Sequence, residues 1–216
     1  MSLAREGYPF IIGSLVPGGF LIGLYPVHKS TPALVAGILL LVFGLACTAF
    51  FRNPRRQIPS DDKILVAPAD GKVLQVVEVD DEYVGAGYRI DIFLSVLDVH
   101  VNRTPISGTI DFVRYRAGKF FSAFKDKASD DNERNDIGIS GKRGKVRVAQ
   151  IAGSIARRIV CHVREADKVK AGQLYGMIRF GSRTEITFDR QYQPCVKAGQ
   201  RVKGGETIVG RLPSDA

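Results

Sequence analysis

Proton transfer near neutral pH calls for a side chain that titrates there, and histidine is the one that does so unperturbed. The chain has three, at positions 28, 100 and 162. His28 falls in a short turn between two long apolar runs. His162 lies inside the strand-like run Ile159-Val-Cys-His-Val-Arg164, where a satisfied strand histidine is expected. His100 differs. The segment Leu94-Ser-Val-Leu-Asp-Val-His-Val-Asn-Arg-Thr-Pro-Ile-Ser-Gly108 gathers Asp98, Asn102 and Arg103 around it at a strand end, a setting suited to general acid–base work. Cys47, Cys161 and Cys195 make no C-x-x-C pair and no complete disulfide framework, so reduced thiols are expected. Nothing in the sequence has zinc-ligand spacing, and no recognition helix or RNA-binding motif supports nucleic acid as a partner.

These residues need elements to hold them. Over 216 residues, 45% hydrophobic and 25% charged content supports a packed core and argues against disorder, collagen or a coiled coil. The charges are unevenly spread, since Tyr8 to Phe51 carries only Lys29. Residues 32–51 form an uncharged helix-length run that matches the roughly 30 Å of bilayer hydrocarbon. Residues 8–25 are similarly apolar, but Pro17-Gly18-Gly19 at their centre predicts a kinked span or a re-entrant segment. Arg52, Arg55 and Arg56 follow the second run at once, and basic residues beside a span mark the cytoplasmic side. The expectation is a membrane anchor over residues 1–56, with both termini inside, and a separate domain over residues 57–216. A cleavable signal peptide fits less well, because Arg5 is offset by Glu6 and no small-x-small site precedes a polar start.

From Asp61 onward, short apolar runs at period two alternate with Gly and Pro. Residues 72–79, 88–94, 108–115, 145–149, 159–164 and 184–188 read as strands, which predicts a mostly β fold. Asp167-Lys-Val-Lys-Ala-Gly-Gln173 and Val196-Lys-Ala-Gly-Gln200 repeat one turn pattern, and Ala67-Pro-Ala-Asp-Gly-Lys-Val73 adds a third such turn. These are similar to the hammerhead turns of biotinyl and lipoyl barrel-sandwich domains, although no carrier lysine of the Met-Lys-Met type stands at a hairpin tip. One stretch breaks the β pattern. In residues 118–129, Phe120, Phe121 and Phe124 recur at helical spacing beside Lys119, Lys125 and Lys127, which predicts a short helical insertion that enters the core or rests on a membrane. The net charge of +9 favours an anionic surface, and with an anchor present that surface is lipid.

Six motifs stand in order along the chain: Phe51-Arg-Asn-Pro-Arg55, Ala67-Pro-Ala-Asp-Gly71, Asp98-Val-His-Val-Asn-Arg-Thr-Pro105, Asp126-Lys-Ala-Ser129 with Asn132-Glu-Arg-Asn135, Ile151-Ala-Gly-Ser-Ile-Ala-Arg-Arg-Ile-Val160, and Arg179-Phe-Gly-Ser-Arg183. Together they resemble the short bacterial form of phosphatidylserine decarboxylase, a pyruvoyl-dependent membrane enzyme, and the related archaetidylserine decarboxylases look similar. The resemblance implies that a Gly–Ser bond cuts itself and leaves the serine as an N-terminal pyruvoyl group, with no metal and no pyridoxal phosphate. It also implies a large and a small chain held together as a heterodimer, an anionic phospholipid substrate, and a catalytic domain on the cytoplasmic side of the inner membrane.

Gly–Ser bonds occur at 13–14, 153–154 and 181–182. The first lies in an apolar run without a base, and the second stands where the family more often has another residue after the glycine. The resemblance therefore places cleavage at Gly181–Ser182, giving chains of 181 and 35 residues. Longer members use an Asp-His-Ser arrangement for self-cleavage, and Asp70 matches the aspartate. They also carry Asp-x-His-x-x-His, whereas here the second histidine position is Arg103. Either His100 handles both cleavage and the protonation step of decarboxylation, or Asp70 is the base for cleavage. The substrate's phosphate and carboxylate call for cations, and Arg103, Arg157, Arg158, Arg179 and Arg183 are candidates because guanidinium forks match both groups. Two other classes compete. A membrane-tethered barrel-sandwich adaptor would need no cleavable bond, and a soluble pyruvoyl amino-acid decarboxylase would need no anchor.

Overall fold

The computed structural model describes residues 2–118, 132–153, 158–178 and 182–213. The chain divides into two compact units, Met1–Arg55 and Arg56–Ala216. The expected helical insertion with Phe120, Phe121 and Phe124 lies outside the described residues, as do Ser154, Arg157, Arg179 and Gly181.

In the first unit β1 (Ser2–Leu3) pairs antiparallel with β2 (Arg52–Asn53). Between them run α1 (Tyr8–Gly23), α2 (Tyr25–His28) and α3 (Thr31–Phe50), each with a proline in its first turn, where a missing N–H costs no helical bond. Pro17 sits inside α1 without ending it, so residues 8–23 are one helix and not a re-entrant loop. The two long helices meet through small residues. A Cβ on Gly18 would stand 3.0 Å from the Gly37 carbonyl oxygen, and one on Gly44 would stand 2.7 Å from Ser14 Oγ. Such close backbone approach is how helices pack where no hydrophobic effect drives them together. Ile12, Val16, Phe20, Leu39, Phe43 and Leu45 remain exposed on helices long and apolar enough to cross a membrane, which fits membrane association.

The regular elements among the described residues of the second unit are all β, in line with the period-two pattern. Its strands are β3 (Ile64–Val66), β4 (Gly71–Asp81), β5 (Gly85–Leu94), β6 (Val101–Arg103), β7 (Gly108–Arg116), β8 (Arg134–Gly141), β9 (Gly144–Ala152), β10 (Ile159–Cys161), β11 (Lys168–Val169), β12 (Leu174–Ile178), β13 (Ser182–Asp189), β14 (Gln193–Pro194), β15 (Arg201–Val202) and β16 (Ile208–Arg211). An eight-stranded antiparallel sheet in the order β11-β7-β8-β9-β13-β5-β4-β15 curls around the core. Two three-stranded sheets, β10-β12-β6 and β14-β16-β3, complete the unit. Ile90, Ile92, Ile137, Ile139, Val146, Val148, Ile186 and Phe188 fill the space enclosed. Removing that much branched apolar surface from water is the main driving force for the fold.

The repeated Lys-Ala-Gly-Gln turns are the same object built twice. In each, the Gln N–H donates to the Lys carbonyl (3.0 Å at 173 to 170, 3.2 Å at 200 to 197). The Gln side chain accepts the Lys N–H in turn. Gly172 N–H and Gly199 N–H donate to Thr104 and Val73, and these two residues donate back to Gln173 and Gln200. The glycines are required, since φ is +74° at Gly172 and +87° at Gly199. Space around them differs: a Cβ at 199 meets nothing, whereas one at 172 would stand 2.4 Å from Ile58 Cδ1. Gly199→Ala is expected to lower stability by about 1 kcal/mol from the left-handed backbone alone, and Gly172→Ala by clearly more. Urea unfolding of the two variants in detergent checks that order.

Candidate active site

Ser182 opens β13, the strand at the middle of the large sheet. It pairs with Leu94 of β5 on one side and with Ala152 of β9 on the other. Period two puts Ser182 and Thr184 on the face that carries Ile186 and Phe188 into the core, while Arg183, Glu185 and Thr187 point the other way. Ser182 is fully buried, and among the described residues nothing hydrogen-bonds its Oγ. A buried hydroxyl without a partner gives up about 1–3 kcal/mol, so its retention at a strand end makes Ser182 a candidate for chemistry. Ala152, across the ladder, is held by Asn132 Nδ2 at its carbonyl (2.7 Å) and by the Glu133 carbonyl at its N–H (2.9 Å).

His100 reaches the same end of the sheet along another path. Its carbonyl accepts the Ile178 N–H (3.3 Å), and three residues carry the chain from Ile178 to Ser182. The imidazole is fully buried, with Nδ1 2.9 Å from the Asp98 carbonyl oxygen. A carbonyl only accepts, so Nδ1 donates to it, and in the neutral ring Nε2 is the nitrogen that bears the lone pair. Two residues on, Asn102 joins a buried chain of amides. Asn135 Nδ2 donates to Gln150 Oε1 (3.0 Å), Gln150 Nε2 to Asn102 Oδ1 (2.8 Å), and Asn102 Nδ2 reaches Thr184 Oγ1 at 3.4 Å. The chain ties four strands together beside Ser182, and its members are buried and mutually satisfied, which gives one arrangement and not several.

Asp70 stands just before β4, with β5 between β4 and β13, so two strand spacings of about 5 Å separate its neighbourhood from β13. Both of its oxygens accept Arg56 Nη2 at 2.8 Å, and Oδ1 also accepts the Gly204 N–H. Arg56 extends to Glu206 at 3.6 Å. Arg103 lies in this group and donates to the Gly172 carbonyl (2.9 Å); burial, then the neighbouring Arg56 charge, pulls its pKa below the usual guanidinium range.

Sequence comparison relates the chain to known proteins. Residues 43–210 fit the family model described as phosphatidylserine decarboxylase. The phosphatidylserine decarboxylase proenzyme of Carboxydothermus hydrogenoformans is 47% identical over 213 residues, covering 96% of this chain and 95% of that one. Those of Saccharopolyspora erythraea (49%, 82% and 78% covered) and Trichlorobacter lovleyi (45%, 97% and 96%) are also similar. The chain belongs to the phosphatidylserine decarboxylase family. The family resemblance read from the six motifs is thereby borne out.

Within this decarboxylase fold the Asn132-Glu-Arg-Asn135 motif acquires physical roles. Asn132 holds Ala152, Glu133 accepts Tyr115 Oη (3.1 Å), Arg134 bridges Asp136 (2.7 Å) and Glu185 (3.0 Å), and Asn135 starts the amide chain. The arginines proposed for substrate separate. Arg158 is exposed and Arg103 belongs to the Asp70 group. Arg183 is 1% exposed and ion-paired with Asp91, which also holds Arg89 (3.1 Å) and Gln75 (2.6 Å). Alternating charges in Arg89-Ile-Asp-Ile and Arg183-Thr-Glu-Ile suggest a wetted outer face, but the central strands bury both faces, so the partners Asp91, Glu185 and Arg134 escaped the sequence reading. In a Ser182→Ala background, Arg183→Met is expected to cost about 3 kcal/mol in urea unfolding by leaving a buried carboxylate undercompensated. Adding Asp91→Asn should restore part of the loss.

Proposed function

We propose that the chain is a self-processing decarboxylase of phosphatidylserine, cut at Gly181–Ser182 into chains of 181 and 35 residues that remain associated. The observation that carries this reading is the buried, unpartnered Ser182 hydroxyl at the start of a strand clamped on both sides. Its oxygen adds to the Gly181 carbonyl carbon, the C–N bond breaks, and the amide becomes an ester. Loss of the Ser182 α-proton then expels the Gly181 carboxylate and leaves dehydroalanine; uptake of water with release of ammonia makes the α-carbon a ketone.

The site suits such a group, since a ketone needs no donor hydrogen and the ladder on either side fixes its plane. A pyruvoyl group there supplies an electrophilic carbonyl, bound to the substrate amine, that draws off the electron pair released as the carboxylate leaves as CO2. His100 is the proton carrier: its Nε2 lone pair takes the hydroxyl proton during cleavage and later delivers a proton to the substrate α-carbon. The Arg56–Asp70 ion pair supports assigning both transfers to His100, because both Asp70 oxygens are taken up by Arg56 and one also by the Gly204 N–H. Arg103, at the position of a second histidine in longer members, stays charged and cannot take that part. The helices of the first unit tether the site to the bilayer that contains its substrate, on the cytoplasmic side of the inner membrane, with Arg52, Arg55 and Arg56 as the positive-inside signal.

Intact mass under denaturing conditions tests the reading. Two chains are expected, the smaller lighter by one ammonia than a 35-residue peptide beginning with serine, and one uncut chain is expected for Ser182→Ala. A single chain from folded, unsubstituted protein would return the adaptor reading to first place. Activity on phosphatidylserine and none on free serine separates this enzyme from a soluble amino-acid decarboxylase. His100→Ala is expected to lower decarboxylation by about 10²–10⁴-fold, whereas Asp70→Asn should still cleave.

A further inference from the structure

Among the described residues of the second unit, three large apolar side chains stand exposed: Val96, Leu97 and Tyr115. Two of them are neighbours at the centre of one turn, and Leu97 is 84% exposed. Turn centres ordinarily carry Gly, Asn, Asp or Ser, and an isolated exposed leucine would need no comment, but an adjacent exposed pair at a tip leaves a concentrated apolar surface open to a partner. The turn is also firmly built. Asp98 N–H donates to the Ser95 carbonyl (2.9 Å), Ser95 N–H and Oγ both donate to Asp98 Oδ2 (2.8 Å), and Arg201 pairs with Asp98 Oδ1.

Its position is specific. The turn joins Leu94, which faces Ser182 across the ladder, to His100. Beside it the sheet edge sets Lys72 directly opposite Arg201, and both are exposed. Asp98 answers the Arg201 charge, whereas Lys72 across the ladder has no carboxylate partner among the described residues, so the pair leaves a cation for an anionic surface. An apolar tip rimmed by cations is the composition of an element that lies at a lipid headgroup boundary.

We propose that the Val96–Leu97 turn is an interfacial wedge that enters an anionic bilayer, with Lys72 and Arg201 against lipid phosphates, and so holds the Ser182–His100 region at the depth of a phospholipid headgroup. This rests on the lipid-decarboxylase reading for its purpose, but not for its measurement.

The chain has no tryptophan, so a single introduced one reports alone. Leu97→Trp and, as control, Lys142→Trp at the tip of the β8–β9 hairpin, at the other end of the sheet from Ser182, are reconstituted as full chains in phosphatidylcholine vesicles with a minor share of phosphatidylglycerol. Acyl chains brominated near the headgroup are expected to quench the 97 probe several-fold more than the 142 probe and to accompany a blue-shifted emission. Equal quenching of the two, with both emissions at the wavelength of exposed indole, would overturn the wedge. Val96→Trp serves as a second probe with the same two readings if Leu97→Trp does not fold. Quenching needs neither cleavage nor turnover, so it is scored in the Ser182→Ala chain as well, and its failure is distinct from failure of the intact-mass experiment.

Discussion

Everything at the site depends on β13 being held from both sides at its first residue. A strand end normally frays, yet Ser182 sits in a ladder with Leu94 and Ala152, and the next residue enters a buried ion pair with Asp91. Cutting the chain before Ser182 would remove the covalent tether on one side of the reactive carbon and also its N–H. What remains is position in the ladder and the grip on Arg183. A reacting group made from the backbone can be kept to within fractions of an ångström only if the backbone beyond it is immobile, and the charges on the outer face supply that immobility at a cost in desolvation.

The same strand shows how period two divides labour. One face carries Ser182 and Thr184 toward the amide chain and then Ile186 and Phe188 into the apolar core. The other carries Arg183 and Glu185 into the ionic network. A slip of one residue would exchange the two sets and bury the wrong chemistry on each side. The amide chain from Asn135 to Thr184 and the ion pairs of Arg134 and Arg183 therefore act together as register marks, since neither set finds partners in the shifted pairing. Buried polar groups are weak sources of net stability, but they discriminate strongly between alternatives.

Much of this was legible in the sequence, for reasons that differ by element. The two long apolar helices were plain because composition alone sets them apart, although Pro17 suggested a break that does not occur: it lies mid-helix, where it removes one N–H bond while the neighbouring turns keep theirs. The Lys-Ala-Gly-Gln repeat was visible because a left-handed turn demands glycine and a side-chain cap demands glutamine, so function follows spelling. His100 stood out through its polar neighbours. Asp91, Glu185 and Arg134 did not, because an alternating charged strand face looks the same whether water or a counter-charge covers it. Only topology, which puts β5, β8, β9 and β13 side by side, reveals the second case. Asp70 was read through a motif, and its partner Arg56, fourteen residues earlier, was read only as a topology signal.

Arg56 has a consequence for how one chain serves two solvents. It is the first residue of the second unit, follows the membrane helices by a few residues, and fastens to Asp70, whose loop leads into β4. Its charge pairs with Asp70 and extends to Glu206, so the loop is held electrostatically where the second unit begins. Arg103 stands alongside Arg56, so the cluster holds two cations and two carboxylates, a group balanced in charge. The imidazole proposed to carry the proton lies outside that cluster, buried and oriented by the Asp98 carbonyl. That same Asp98 pins the apolar turn next to it, so one residue orients both the His100 ring and the surface we assign to the lipid.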